Sequence, residues 1–380
     1  MLGEQTFSFL VFAIGNLFLF VGFGLAFLPP KLQHWRFGII LGLLLSLSLI
    51  LGLRRWDVGI DTPKYVQAFE SQKIYIYHQL EIYEPLYILG GLLLKFLLRE
   101  YNLFLLAVPL IQGLFLLSAY RVLLPERLYP FALALYMGCF VFWLSNISML
   151  RQGITIASCF FAYSLLIQGK RLPALLLALA SSLVHFSAGI FPAVYGLYRG
   201  YQWCLRKHPK IFGFVVALVL AGLFYPGSLF YELLKLVVDM FFSLTAHPYL
   251  EKIQWYLTWS KLTPWNLKHV YFLILGLFLF ATPFFHREDL LRELYLFLLT
   301  GLTVILLCKY DEMVADRMFM YFVPAIPALI LRLTQTIFPR PADQKLLLVL
   351  ILLGGLVWFN VKLFLLQYPG WFISPYPAVR

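Results

Sequence analysis

Arg55, Asp57, Asp61 and Glu84 fall within one polar stretch, and Arg151, His185 and Arg317 stand at the edges of apolar runs further along. These residue types suit one kind of chemistry. An arginine fork pairs two oxygens of a phosphate or carboxylate and never loses its charge. A carboxylate or an imidazole within reach of a hydroxyl can take its proton. Together they could hold an oxyanion and move a proton beside it. No metal or other cofactor is expected. Asp57 and Asp61 are four apart rather than in a DxD pair, and Cys139, Cys159, Cys204 and Cys308 form no CxxC or Cys/His cluster.

Each residue also has a plainer reading. Arg151 could snorkel to an interface, although it is the only charge between Arg127 and Lys170 and a charge near the bilayer is costly. His185, between Ser182 and Ser187, could be a structural histidine at an apolar turn. Arg317 could pair with Asp311, Glu312 or Asp316, and it shares a helical face with Tyr321. Asp61 could be part of a helix cap, and Asp57 or Glu84 could pair with Arg54 or Arg55. The aromatic residues of 75–87 suit an interface belt as well as a sugar platform.

The elements that must position these residues are membrane-grade. The chain has 380 residues, 62% hydrophobic and only 13% charged, against about 25% charged in soluble domains. At roughly 20 residues per crossing there is room for about a dozen helices. The expectation is an all-α, polytopic membrane protein with one membrane domain over 1–380. The N-terminus lacks a basic region before its first apolar run, so 7–28 should stay as a membrane helix. The net charge of +12 fits the basic loops that orient a multispanning protein, not nucleic-acid binding. Six basic clusters, at 31–36, 121–127, 170–171, 206–210, 287–293 and 340–345, hold 13 Lys/Arg against five carboxylates. If all six face the cytoplasm, the chain crosses twelve times and both termini lie outside.

Apolar runs at 129–149 and 318–338 read as single crossings. The run 84–99 reads as an interfacial or re-entrant helix on the outer face, because a crossing there would misplace the later basic loops. The run 172–203 is too long for one helix and splits near His185. This leaves 54–102, Arg151, 231–269 and 309–317 as the outer polar segments. Loop 231–269 carries Trp255, Trp259 and Trp265, flat rings that stack on sugars or sit at headgroup level. Within the first segment, Thr62 reads as a helix N-cap with Pro63 at the first helical position. Tyr65 and Phe69 then share a face, and the free N–H groups at the helix start favour an anion.

The pattern Arg55-x-Asp57-x-Gly59-x-Asp61-Thr62-x-x-Tyr65-x-x-x-Phe69 resembles the first signature of the EpsG family of Wzy-like bacterial exopolysaccharide and O-antigen repeat-unit polymerases. Glu84-Pro85-Leu86-Tyr87 sits where that family has an acidic-aromatic element. Met149-Leu150-Arg151-Gln152 with Ile154 and Ala157 resembles its RQ helix start, although Gly153 and Ile-Thr-Ile-Ala depart from the usual alanine-rich run. Ser182 to Ala188 is similar to its His-x-Ser-Ala element, and Asp316-Arg317 with Tyr321 to its late Arg-x-x-x-Tyr.

The resemblance implies a membrane glycosyltransferase fold in the bacterial inner membrane, working at the periplasmic or outer face without a cofactor. It implies transfer of a glycan from undecaprenyl diphosphate to a hydroxyl of another lipid-linked repeat unit. Partners would be the lipid-linked oligosaccharide, membrane lipids and a chain-length regulator. Arg151 and Arg317 would hold the diphosphate, with Arg55 as a third clamp. Asp61 would be the base, with Glu84 in reserve and His185 bonding the phosphate or the acceptor. Asp57, Tyr65, Gln152 and Tyr321 would line the substrate. A flippase or transporter of lipid-linked sugar is the alternative, and a ligase or acyltransferase a further one. Transporters tend to carry ionisable residues near the midplane and inverted repeats, whereas this chain gathers its charge at one face and shows no repeat.

Cysteines placed at Gln72 and Lys207 are expected to label from opposite sides of the membrane with an impermeant reagent. Labelling of both from one side would overturn the assigned topology.

Overall fold

The computed structural model describes residues 4–56, 58–59, 61–71, 84–224, 236, 239–240, 288–308, 312–338 and 340–364. The described residues are helical, without a strand. Among the described residues, five helices are long and apolar enough to cross a membrane: Phe9–Ala26, Trp35–Gly52, Tyr101–Leu123, Leu150–Ile167 and Ala342–Asn360. The protein is therefore a multi-pass membrane protein. The chain packs as two compact units, Met1–Gly189 with Pro327–Arg380, and Ile190–Ile326.

The first unit is built on α1 (Glu4–Ala26), α2 (Trp35–Gly52), α3 (Thr62–Ser71), α4 (Pro85–Leu98), α5 (Tyr101–Leu123), α6 (Tyr129–Met137), α7 (Phe140–Ile147), α8 (Leu150–Ile167) and α9 (Arg171–Val184). Helix α8 packs on both α5 and α9, and α2 packs on α5. Small and polar residues make these close approaches, as expected where hydrophobicity cannot drive helix association. A Cβ on Gly153 would sit 2.7 Å from the Ser145 carbonyl, so only glycine admits α7 against α8 here. Beside it Gln112 Nε2 donates to Ser145 Oγ (2.8 Å), and on the far face of α8 Ser158 and Ser181 hydroxyls meet at 2.6 Å. Asn102 Nδ2 donates to the Gly52 carbonyl (2.7 Å), closing the end of α2.

The run 129–149 is not one straight crossing. Gly138 ends α6 and Cys139 is extended, so Tyr129–Met137 and Val141–Ile147 meet at 67°. The run 172–203 breaks where expected. Helix α9 stops at His185, whose backbone is extended (φ −153°, ψ 122°), and a 3-10 turn over Phe186–Ile190 follows. The run 84–99 forms α4 alone, with Leu89, Leu93, Phe96 and Leu97 exposed along one apolar stripe.

Helix α3 starts one residue earlier than the cap reading. The Asp61 carbonyl accepts the Tyr65 amide at 3.2 Å, which makes Asp61 the cap residue and Thr62 and Pro63 the first two helical residues. The Thr62 hydroxyl is turned to the Ile147 carbonyl instead (2.5 Å), which ties the loop before α3 to the end of α7. Tyr65 and Phe69 share the buried face as expected, in a cluster with Tyr87, Phe104, Val108 and Leu150. The Phe69 and Phe104 rings stack at 5.1 Å. Lys95 of α4 donates to the Phe69 carbonyl (2.7 Å) and the Glu70 carbonyl, so a cation closes the negative end of α3.

The second unit holds α10 (Phe191–Lys207), α11 (Pro209–Phe224), α12 (Asp289–Cys308) and α13 (Glu312–Phe319). Helices α10 and α11 both pack on α12. The Glu293 carboxylate of α12 accepts from Tyr198 and Gln202 of α10. Helix α14 (Ala325–Ile337) crosses the boundary between the units, and α15 (Pro341–Phe364) packs on α1 in the first, where Asn16 and Asn360 bond at 3.1 Å. The run 318–338 is broken. Helix α13 ends at Phe319, turns cover 320–324, and Pro324 could not continue a helix because it lacks the N–H and crowds the preceding turn.

Gly59 is the position in the loop before α3 that no other residue can fill. Its φ is +106°, and a Cβ there would run into the Ile147 carbonyl and lie 2.6 Å from Thr62 Oγ1. Gly59→Ala is expected to destabilise the protein by about 1–3 kcal/mol. Gly42→Ala, at an open position inside α2, should be neutral or stabilising. Melting temperatures of the two variants in detergent decide this.

Candidate functional site

Three segments far apart in sequence deliver the polar side chains of one cluster. Glu84 precedes α4 with an extended backbone (φ −70°, ψ 146°), imposed by Pro85 at the first helical position. Arg151 is in the first turn of α8. His185 ends α9, and Phe186 opens the 3-10 turn.

The Glu84 carboxylate is the hub. One oxygen, Oε2, takes the Arg151 guanidinium in an ion pair. The other, Oε1, lies 3.0 Å from His185 Nδ1 and 3.1 Å from the Phe186 amide, which donates to it. The side chains are only 6%, 14% and 11% exposed for Glu84, Arg151 and His185, so these charges are nearly out of water and their interactions are only weakly screened. The guanidinium lies against two rings, 5.8 Å from the centroid of Tyr65 and 5.4 Å from that of Tyr87. A desolvated cation over aromatic faces gains about 0.5–2 kcal/mol. Tyr65 arrives on α3 and Tyr87 on α4, with their rings 6.1 Å apart.

Burial by itself would raise the Glu84 carboxyl. The His185 hydrogen bond, the Arg151 and His185 charges and the Phe186 amide outweigh it and hold the group down at about 2. A carboxylate with that many donors stays charged at any physiological pH and is a weak proton acceptor.

The structure thus brings together Glu84, Arg151, His185 and Tyr65. Gln152 is buried next to Arg151 on α8. Asp61 lies one turn before Tyr65 and pairs with Lys64 at 3.4 Å, with about a third of its side chain exposed. Asp57 lies outside the described residues, as does nearly all of loop 231–269. Arg55 is exposed. Its neighbour Arg54, not singled out as a ligand, is fully buried: Nη1 donates to the Leu51 carbonyl at 2.8 Å, while Nε and Nη2 have no hydrogen-bond partner among the described residues. Burial lowers Arg54 to about 9, which leaves it cationic at neutral pH. Arg317 and Tyr321 belong to the second unit. They do not share one helical face, because α13 ends between them and the Tyr321 amide donates to Met318 in a turn. Among the described residues no group of His, Cys, Asp and Glu could hold a metal.

Sequence reasoning missed two partners. Tyr87 follows Glu84 by three residues behind a helix-starting proline, and that spacing alone could have placed it on Glu84's side of α4. The Phe186 amide carries no side-chain signal, since any residue there would donate.

The paired carboxylate makes a pH signature. Its ordinary value is 4.5 and its folded value about 2, so the stabilisation is complete above the ordinary value and is lost as pH falls through the lower one. At about 1.4 kcal/mol per unit this amounts to about 3 kcal/mol. Melting temperature in detergent should therefore fall as pH is lowered from 4.5 toward 2. Glu84→Gln should begin about 3 kcal/mol less stable, because Arg151 keeps a buried charge without its partner, and should lose this acid limb.

No curated protein and no solved structure matches the chain. The family model for "EpsG family" matches residues 38–376, a span that takes in the Glu84, Arg151 and His185 segments. With nearly its whole length matched, the chain belongs to the EpsG family, a family of Wzy-like polymerases.

Proposed function

We propose that this protein is a polysaccharide polymerase of the bacterial inner membrane. It transfers a glycan chain from undecaprenyl diphosphate to a hydroxyl of another lipid-linked repeat unit at the outer face. The observation that carries this reading is the Glu84–Arg151–His185 cluster, an oriented cation and an imidazole held by one carboxylate at helix ends in an otherwise apolar bundle. A glycosyl diphosphate already has a good leaving group. What remains is charge building on the diphosphate and a sluggish sugar hydroxyl. A preorganised cation meets the first need, and removing one such donor costs about 10²–10³ in rate. Arg151 takes that role, with Arg55 as a further diphosphate contact. Tyr65 and Tyr87 line the same place, with Gln152 and Asp57 as further substrate contacts.

Twelve crossings with the six basic loops inside would put these helix ends on the outer side. The exposed apolar stripe on α4 and Leu172, Leu175, Leu176, Leu179 and Leu183 on α9 would then face lipid tails and the polyprenyl chain. A chain-length regulator would act from the same side.

Purified protein in liposomes, given lipid-linked repeat units, should extend them into polymer. Arg151→Ala should slow this by about 10²–10³, and Arg151→Lys nearly as much, because lysine keeps the charge and loses the fork. Full polymerisation by Arg151→Ala would remove the phosphate clamp and favour a transporter of the same lipid-linked sugars.

A further inference from the structure

The polymerase reading needs a base for the acceptor hydroxyl, and three groups compete for it: Asp61, Glu84 and His185. We infer that His185 is the base, acting through Nε2, and that Glu84 is a positioning residue that fixes the imidazole in its Nδ1–H tautomer. This rests on the polymerase reading for the identity of the hydroxyl, and on geometry alone for the tautomer.

The argument runs through hydrogen-bonding capacity. An ionised carboxylate only accepts. Glu84 Oε1 lies 3.0 Å from Nδ1, so that nitrogen must carry the hydrogen. In the neutral ring the lone pair then belongs to Nε2, at the opposite side of the imidazole. The arrangement is over-determined. Glu84 cannot turn away, because Oε2 is held by Arg151 and Oε1 is also fixed by the Phe186 amide. The residue after His185 thus locks the carboxylate that locks His185. The ring is further set edge-on to Phe186, with centroids 5.4 Å apart.

Glu84 makes a poor base for the same reasons that make it a good anchor: its oxygens are occupied by a guanidinium, an imidazole and an amide. Asp61 pairs with Lys64 a turn away from Tyr65. His185 joins a proton-accepting nitrogen to a fixed orientation. It also sits one carboxylate away from Arg151, so the base and the cation that receives the leaving group are set at a defined spacing by Glu84.

In the step, the hydroxyl O–H breaks and its proton passes to Nε2. The oxygen forms the new glycosidic C–O bond. The anomeric C–O bond to the diphosphate breaks, and its electron pair leaves on the diphosphate oxygen facing Arg151. The imidazolium, stabilised by Glu84, then returns its proton to solvent.

Two readouts test this. Histidine-selective isotope labelling and NMR of the protein in nanodiscs, with the His185 signal assigned by its loss in His185→Gln, should show the Nδ1–H tautomer for the neutral ring. An Nε2–H ring would overturn the proposal, and this measurement needs no activity. Polymerisation rate against pH is the second readout. Among the described residues Glu84 bonds the ring, and Arg151, lying against Tyr65 and Tyr87, holds the other oxygen of that carboxylate. Wild type should lose rate on the acid side in a single ionisation, and Glu84→Gln should move that limb to lower pH, because a neighbouring negative charge that favoured the imidazolium is gone. His185→Gln should cut the rate by about 10²–10⁴ and abolish the limb, while Asp61→Asn keeps it. A His185→Gln enzyme with the wild-type limb, or an Asp61→Asn enzyme without it, would overturn the assignment. Wild-type protein that makes no polymer would count against the polymerase reading, and the tautomer would still decide the inference about Glu84 and His185.

Discussion

A carboxylate that is almost out of water is the constraint on which the first unit depends. Left alone, Glu84 would cost several kcal/mol or take up a proton. It does neither, because a guanidinium, an imidazole and an amide converge on it. That convergence fixes much else. It requires α8 to start at Leu150, so that Arg151 falls in the first turn, and α9 to stop at His185, so that the ring and the following amide turn back together. The glycines and short side chains on α8, Gly153 and Ser158, bring α7 and α9 close enough for these helix ends to meet.

The aromatic residues do a second job around the same charge. Tyr65 and Tyr87 wall the guanidinium with their ring faces, and the same rings continue into the apolar cluster with Phe69, Phe104 and Leu150. The boundary between polar site and packed core is thus drawn inside single side chains. A tyrosine serves because one end is apolar and the other can hydrogen-bond. The order of the α3–α4–α5 packing is transmitted directly to the orientation of Arg151.

Much of this was legible in the sequence, and the failures are instructive. The isolated charges at Arg151 and His185 stood out because apolar surroundings make every polar residue conspicuous. Pro85 announced the helix after Glu84, and the long run through His185 announced its own break. What could not be read was who pairs with whom: the sequence offers Arg54 or Arg55 only as the plain local alternative for Glu84, whose partners lie 67 and 101 residues downstream. Sequence gives no reason to bury Arg54 and expose Arg55, since both follow the same helix end; the fold decides it. The single-helix reading of Arg317 and Tyr321 failed on Pro324, a local signal that was present and went unused. The Thr62 hydroxyl was read as a cap because capping is local, whereas its partner, the Ile147 carbonyl, comes from 85 positions away.

The separation between Glu84 and its partners has a consequence for how the protein is made. The carboxylate leaves the ribosome 102 residues before the Phe186 amide that completes its coordination. At about 5–20 residues per second, that is a wait of roughly 5–20 s. For the first 67 of those residues α1 and α2 are ready to enter the bilayer while Glu84 still lacks the Arg151 guanidinium. The segment around it must stay in water until α8 and α9 emerge, and only their insertion allows the acidic residue to be drawn against the bundle. The site therefore cannot close before α9 has emerged, and its closure reports that the helices on either side have been inserted in the right order.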